Sequence, residues 1–143
     1  MDSLGRHLLI ELWECNAAIN HPEAVRAAIC QGVREIGATL LHLHVHTFSP
    51  HGVTGVATLA ESHLALHSWP EHGYLAADVF TCGEQVDPRA LLAVLEQWFE
   101  PGLIEVKELE RGRRPGGADS FNPGGKGSGT FPERQCVGRV EGA

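Results

Sequence analysis

The sequence is short of lysine, of paired cysteines and of long apolar runs, and each shortage narrows what the chain can do. Its only lysines are Lys107 and Lys126. Basic residues number 11 against 18 acidic ones, a formal net charge of −7, so binding by phosphate neutralisation is disfavoured and no nucleic-acid partner is expected. The one basic cluster, Arg111, Arg113 and Arg114, opens a Gly-rich stretch and reads as solvated chain. Cys15, Cys30, Cys82 and Cys136 lie far apart with no CxxC pair, which excludes a zinc ribbon or a thioredoxin-like motif and suits a reducing compartment. No segment approaches the roughly 20 apolar residues that span a bilayer, and the run from Leu8 to Trp13 is short and broken by Glu11. The expectation is a cytoplasmic protein with no membrane partner.

What is present is an ordinary globular balance, 43% hydrophobic and 20% charged over 143 residues, enough for one domain with its own core. Leu8, Ile10 and Leu12 alternate with His7, Leu9, Glu11 and Trp13, the period of a strand with one buried face. Asn20 is placed to cap a helix that begins with Pro22 and Glu23, carries Val25, Ala28, Ile29, Val33 and Ile36 at helical spacing, and stops at Gly37. Strand patterns follow over 39–47, 53–60, 63–69 and 74–82, punctuated by Pro50–Gly52 and Pro70–Gly73. A helix from Asp87 and Pro88, with its stripe of Leu91, Leu92, Leu95, Trp98 and Phe99, ends at Pro101, and a last strand covers 103–109. The order has too few helices for a doubly wound sheet. It predicts an α+β fold, a two-layer sandwich of a mainly antiparallel sheet with helices on one face. Residues 1–114 form the expected domain; from 115 to 143 periodicity disappears among Gly and Pro, which predicts a flexible tail.

The stretch GVTGVATLAESHLALHSWPEHGYLAADVFTCG, residues 52–83, is specific. Glu61, Ser62, His63, His67, Trp69, Pro70, Glu71, Gly73, Tyr74, Asp78, Thr81, Cys82 and Gly83, together with the opening GRHLLIELWEC and the RGR of 111–113, resemble the bacterial and archaeal form of S-adenosylmethionine decarboxylase. That resemblance reaches to about Arg114. It implies a proenzyme that cuts itself between Glu61 and Ser62, leaving Ser62 as a pyruvoyl group, and then converts S-adenosylmethionine to its decarboxylated form and CO2 for spermidine synthesis. It also implies a homodimer packed through its sheets, with active sites drawn from both subunits.

The chemistry can be argued beside the resemblance. Decarboxylating an amino acid requires an electron sink that no side chain supplies. Pyridoxal phosphate is normally tied to a lysine, which this chain hardly has; a ketone made from the chain is the alternative. By resemblance Ser62 supplies it: its hydroxyl attacks the preceding carbonyl, the amide becomes an ester, and elimination and hydrolysis leave the pyruvoyl end. His67 matches the histidine that assists proton transfer in processing, a task suited to an imidazole. Thr54 stands where the family commonly has a supporting serine. Cys82 matches the cysteine that protonates the substrate carbon, a thiol being a competent acid near neutrality. Glu71 matches the carboxylate that holds the ribose hydroxyls, and Phe48 the ring that stacks on adenine. Each residue also has a plainer reading. Ser62 could be a turn serine, His67 a strand-face histidine, Cys82 a core thiol and Phe48 a core ring.

Two rival functions stand beside this one. A pyruvoyl decarboxylase of the same fold acting on arginine or ornithine would keep the processing residues. A metal-binding protein would use His42, His44 and His46, which share one strand face at a workable spacing; the resemblance itself implies no metal.

Overall fold

The computed structural model describes residues 3–115, and a compact unit ends at Arg113. The tail expected at 115–143 lies, apart from Pro115, outside the described residues. Six strands, β1 (Gly5–Trp13), β2 (Leu40–Thr47), β3 (Val53–Leu59), β4 (Ser62–Trp69), β5 (Tyr74–Thr81) and β6 (Leu103–Arg111), form one sheet in the order β2-β3-β4-β5-β1-β6. Every neighbouring pair is antiparallel. Helices α1 (Pro22–Ile36) and α2 (Leu91–Phe99) cover one face, which is the predicted α+β arrangement.

The period-two pattern explains the layering. Leu8, Ile10 and Leu12 of β1, Leu64 and Leu66 of β4, and Leu75, Ala77 and Val79 of β5 point inward and are buried against Val25, Ile29, Val33 and Ile36 of α1 and Leu91, Leu95 and Phe99 of α2. Burying each of the Val, Leu, Ile and Phe side chains among them stabilises the fold by roughly 1.5–3 kcal/mol. Two glycines let the layers meet: a Cβ at Gly55 would run into Ile29 and Val25, and one at Gly32 would lie 2.6 Å from Leu91.

The start of α1 differs from expectation. His21 occupies the N-cap without a side-chain bond, and the Asn20 carboxamide instead accepts the Gly52 N–H at 2.9 Å, tying the β2–β3 turn to the helix entry. Asn16 caps the short 3-10 turn over Ala17–Asn20. A turn of this kind consumes the polar residue that propensity assigned to the helix. Gly37 ends α1 as predicted, at φ 79° with its N–H returned to the carbonyls of Arg34 and Val33. A 3-10 turn over Pro88–Ala90, capped by Asp87, precedes α2.

Among the described residues no helix lies on the second face of the sheet. Register places His7, Leu9, Glu11 and Trp13 of β1 beside Tyr74, Ala76, Asp78 and Phe80 of β5, and those beside His63, Ala65, His67 and Trp69 of β4. Trp13 is 39% exposed, Phe48 42%, Val56 42% and Trp69 36% on this open side of the molecule.

Candidate active site

The β3–β4 connection is a two-residue turn, Ala60 and Glu61. It is pinned from both sides: Ala60 N–H donates to the Thr39 carbonyl at 3.0 Å, and the Glu61 carboxylate accepts the Thr39 N–H at 3.1 and 3.2 Å. The Glu61 carbonyl accepts the Cys82 N–H at 3.1 Å. The peptide oxygen before Ser62 is thus held by the backbone of the residue expected to be the catalytic acid.

Ser62 has φ 140°, a region L-residues rarely adopt. Such a conformation costs of order 1–3 kcal/mol and persists only where neighbours over-determine it. Its consequence is geometric. Successive strand residues normally face opposite ways, yet Ser62 Oγ lies 3.3 Å from Nδ1 of the next residue, His63. Across the ladder from Ser62 stands Thr81, whose hydroxyl is the one buried side-chain polar atom without a partner among the described residues. Backbone strain and an unsatisfied hydroxyl therefore meet at one junction. Cys82 follows directly and is exposed, so the reading of it as a core thiol fails. Cys15, by contrast, is pushed up to about 11 by burial and is a poor nucleophile.

Beyond His63 the face continues into a polar cluster that sequence reasoning left without a role. His63 Nε2 lies 3.1 Å from Asp78 Oδ2, and His7 Nε2 lies 2.9 Å from the same oxygen. Arg111 donates to His7 Nδ1 at 3.1 Å and lies over the Phe80 ring. His63 and Asp78 belonged to the quoted motif, and register puts them on one face with His7. Only the β1-β5-β4 adjacency brings the three together.

A second cluster forms towards the other end of β4. Thr54 Oγ1 is hydrogen-bonded to His67 Nδ1. The His67 ring packs edge-on against Trp69 at 4.1 Å and Phe48 at 5.7 Å. Trp69 stacks on Tyr74 and Tyr74 on Trp13, with centroids 5.2 and 4.3 Å apart. The Tyr74 hydroxyl donates to the Glu11 carboxylate; burial and this negative neighbour push the phenol up to about 12. Glu71 pairs with His51 at 2.8 Å beside the same turn.

The predicted site residues thus divide into two groups: Glu61, Ser62 and Cys82 at one end, Thr54, His67 and Phe48 at the other, with Glu71 beyond. Five residues of β4, about 16 Å of strand, separate Ser62 from His67. His42, His44 and His46 lie along the edge strand β2, with the His44 and His46 rings 6.5 Å apart. Among the described residues the trio whose ligand atoms all fall within 4.8 Å of one another is His7, His63 and Asp78 instead.

Known proteins match almost the whole unit. The family model described as S-adenosylmethionine decarboxylase matches residues 6–112. An S-adenosylmethionine decarboxylase proenzyme of Thermomicrobium roseum is 49% identical over 113 residues, covering 78% of this chain and 97% of the relative. One of Methanococcus maripaludis is 44% identical over 113 residues, 78% of this chain and 93% of the relative. The crystal structure of the adenosylmethionine decarboxylase from Aquifex aeolicus VF5 superposes with a TM-score of 0.75 at 32% identity, over 85% of this chain and 99% of that one. With the family model spanning most of the chain and relatives of this identity matching nearly end to end, the chain belongs to the S-adenosylmethionine decarboxylase family.

Proposed function

We propose that the chain cuts itself between Glu61 and Ser62, and that the product decarboxylates S-adenosylmethionine to its decarboxylated form and CO2, feeding spermidine synthesis. The observation that carries this reading is the junction itself. A serine held at φ 140° follows a carbonyl that accepts the Cys82 N–H, so the nucleophile, the bond to be cut and the later acid converge at one turn. Cutting there would release the backbone strain, and Ser62 would remain as the pyruvoyl end beside Cys82. That group supplies the electron sink for loss of CO2. Cys82 then holds the proton that the substrate carbon receives.

Thr54 on β3 and His67 on β4, the proposed supports of processing, face each other across the ladder and stand too far from Ser62 to reach it within their own chain. A second copy, laid on the exposed aromatic face, would bring its Thr54–His67 pair to that junction, and a homodimer packed through the sheets follows. Phe48 would stack on adenine and Glu71, now paired with His51, would exchange that partner for the ribose hydroxyls. A nucleoside-bearing substrate therefore suits this face better than arginine or ornithine, which need neither group.

Intact-mass analysis of the purified chain tests the first step: two pieces divided between Glu61 and Ser62 are expected, the larger ending in a ketone, and an intact Ser62→Ala. CO2 release from S-adenosylmethionine, arginine and ornithine in parallel tests the second. A chain that stays whole yet releases CO2 overturns the mechanism; release from arginine alone overturns the substrate.

A further inference from the structure

Self-cutting begins with a step for which neither Thr54 nor His67 is placed within its own chain: the Ser62 hydroxyl must lose its proton to become a nucleophile. We infer that His63 is the base for that step, that Asp78 positions it, and that the Cys82 N–H receives the oxyanion. The inference rests on the self-cleavage proposed above and concerns its first bond change.

The donors and acceptors fix the direction of the relay. Arg111 can only donate, so His7 Nδ1 accepts at 3.1 Å and His7 Nε2 carries the proton it gives to Asp78 at 2.9 Å. The Asp78 carboxylate only accepts, so His63 Nε2 likewise carries a proton and donates at 3.1 Å. In that tautomer His63 Nδ1 is bare, and it lies 3.3 Å from Ser62 Oγ. This is the hydroxyl–imidazole–carboxylate arrangement that activates a serine, with the carboxylate selecting the tautomer. The contact is long for a hydrogen bond, as base contacts often are before the reacting geometry tightens. The same donor pattern leaves His7 Nε2 no free lone pair, so the trio is built for proton transfer rather than for a metal.

The step balances. The Ser62 Oγ–H proton passes to His63 Nδ1 as Oγ forms a bond to the Glu61 carbonyl carbon, closing a five-membered ring. The carbonyl electron pair moves to the oxygen that already accepts the Cys82 N–H at 3.1 Å. Collapse breaks the bond from the Glu61 carbon to the Ser62 nitrogen, and that nitrogen takes the proton back from His63. The amide has become an ester, with no net change of protons or electrons. The later elimination, in which His67 is proposed to act, is untouched.

The test uses the freshly synthesised full-length chain, followed by denaturing electrophoresis and intact mass with and without hydroxylamine, which cleaves esters but leaves amides. His63→Ala is expected to slow cutting by about 10² to 10⁴, with no acceleration by hydroxylamine because no ester forms. His67→Ala supplies the contrast, a chain that hydroxylamine does cut. Asp78→Asn should slow the same first step while leaving His63 in place. The His63 side chain is 41% exposed, so the alanine variant should fold, as circular dichroism will report; His63→Gln, which keeps a donor for Asp78, repeats the test if it does not. The groups facing His63 are Asp78 and Phe80 from β5, His7 from β1 and Ser62, and the pH dependence of cutting should differ between Asp78→Asn and the natural chain, which a merely structural role for Asp78 would leave unchanged. Cutting by His63→Ala within threefold of the natural rate, an ester accumulating in that variant, or an unchanged pH dependence in Asp78→Asn would overturn the inference. A natural chain that never cuts would instead sink the self-cleavage reading.

Discussion

The strain at Ser62 can be weighed with two variants that cannot cut. Ser62→Ala and Ser62→Gly both lose the hydroxyl and its contact with His63, so they differ only in backbone freedom and one methyl group. Alanine inherits the cost of φ 140°, about 1–3 kcal/mol; glycine does not. Against glycine stand its greater freedom in the unfolded chain, about 0.4–1 kcal/mol, and loss of a partly buried methyl, about 0.4 kcal/mol, half the value of a buried methylene. Taking the middle of each range, Ser62→Gly should be the more stable by about 1 kcal/mol. For a domain of this size that is a rise in Tm of about 4 °C. Urea unfolding of the two proteins at equal concentration, so that any dimerisation contributes alike, measures the difference. A Ser62→Gly chain less stable than Ser62→Ala would refute the claim that the uncut junction stores strain.

Other outcomes are equally direct. Cys82→Ala should still cut, since the Cys82 backbone N–H is retained, yet turn over S-adenosylmethionine about 10² to 10⁴ times more slowly; natural turnover in the cut variant would strip Cys82 of its role as acid. Tyr74 is the only tyrosine, so the rise of tyrosinate absorbance reports it alone and should be centred near pH 12, moving down in Glu11→Gln. Because that folded value lies above the ordinary 10, the stability Tyr74 contributes is complete below about pH 10 and is lost as pH rises towards 12. A midpoint at the ordinary value would mean that the Glu11 contact does not persist in solution. Val56→Asp, on the exposed face, should give a monomer by sedimentation with much slower processing, whereas a dimer that cuts normally would place the interface elsewhere. Removing residues 115–143 should leave cutting and turnover within about twofold of the full chain, and loss of either would make the tail part of the site.

The sequence by itself determined most of the fold, because its signals are local: alternation at Leu8, Ile10 and Leu12, helical spacing from Val25 to Ile36, and Gly37 where a left-handed stop was needed. It also determined the family, since the motif from Glu61 to Gly83 is contiguous and spans the single hairpin of β4 and β5. It misjudged Asn20, because a side chain that can cap a helix can equally hold a turn that only folding brings near. Tertiary structure alone decided the site's two-part layout. Thr54 and Ser62 are near in sequence, yet the hairpin of β3 and β4 pairs Thr54 with His67 and leaves Ser62 at the far end of the strand. Nor could alternation show that His7, His63 and Asp78 converge, for it fixes a face and not a neighbour. The antiparallel register of β1, β5 and β4 places two imidazoles on one carboxylate and turns one of them towards the serine.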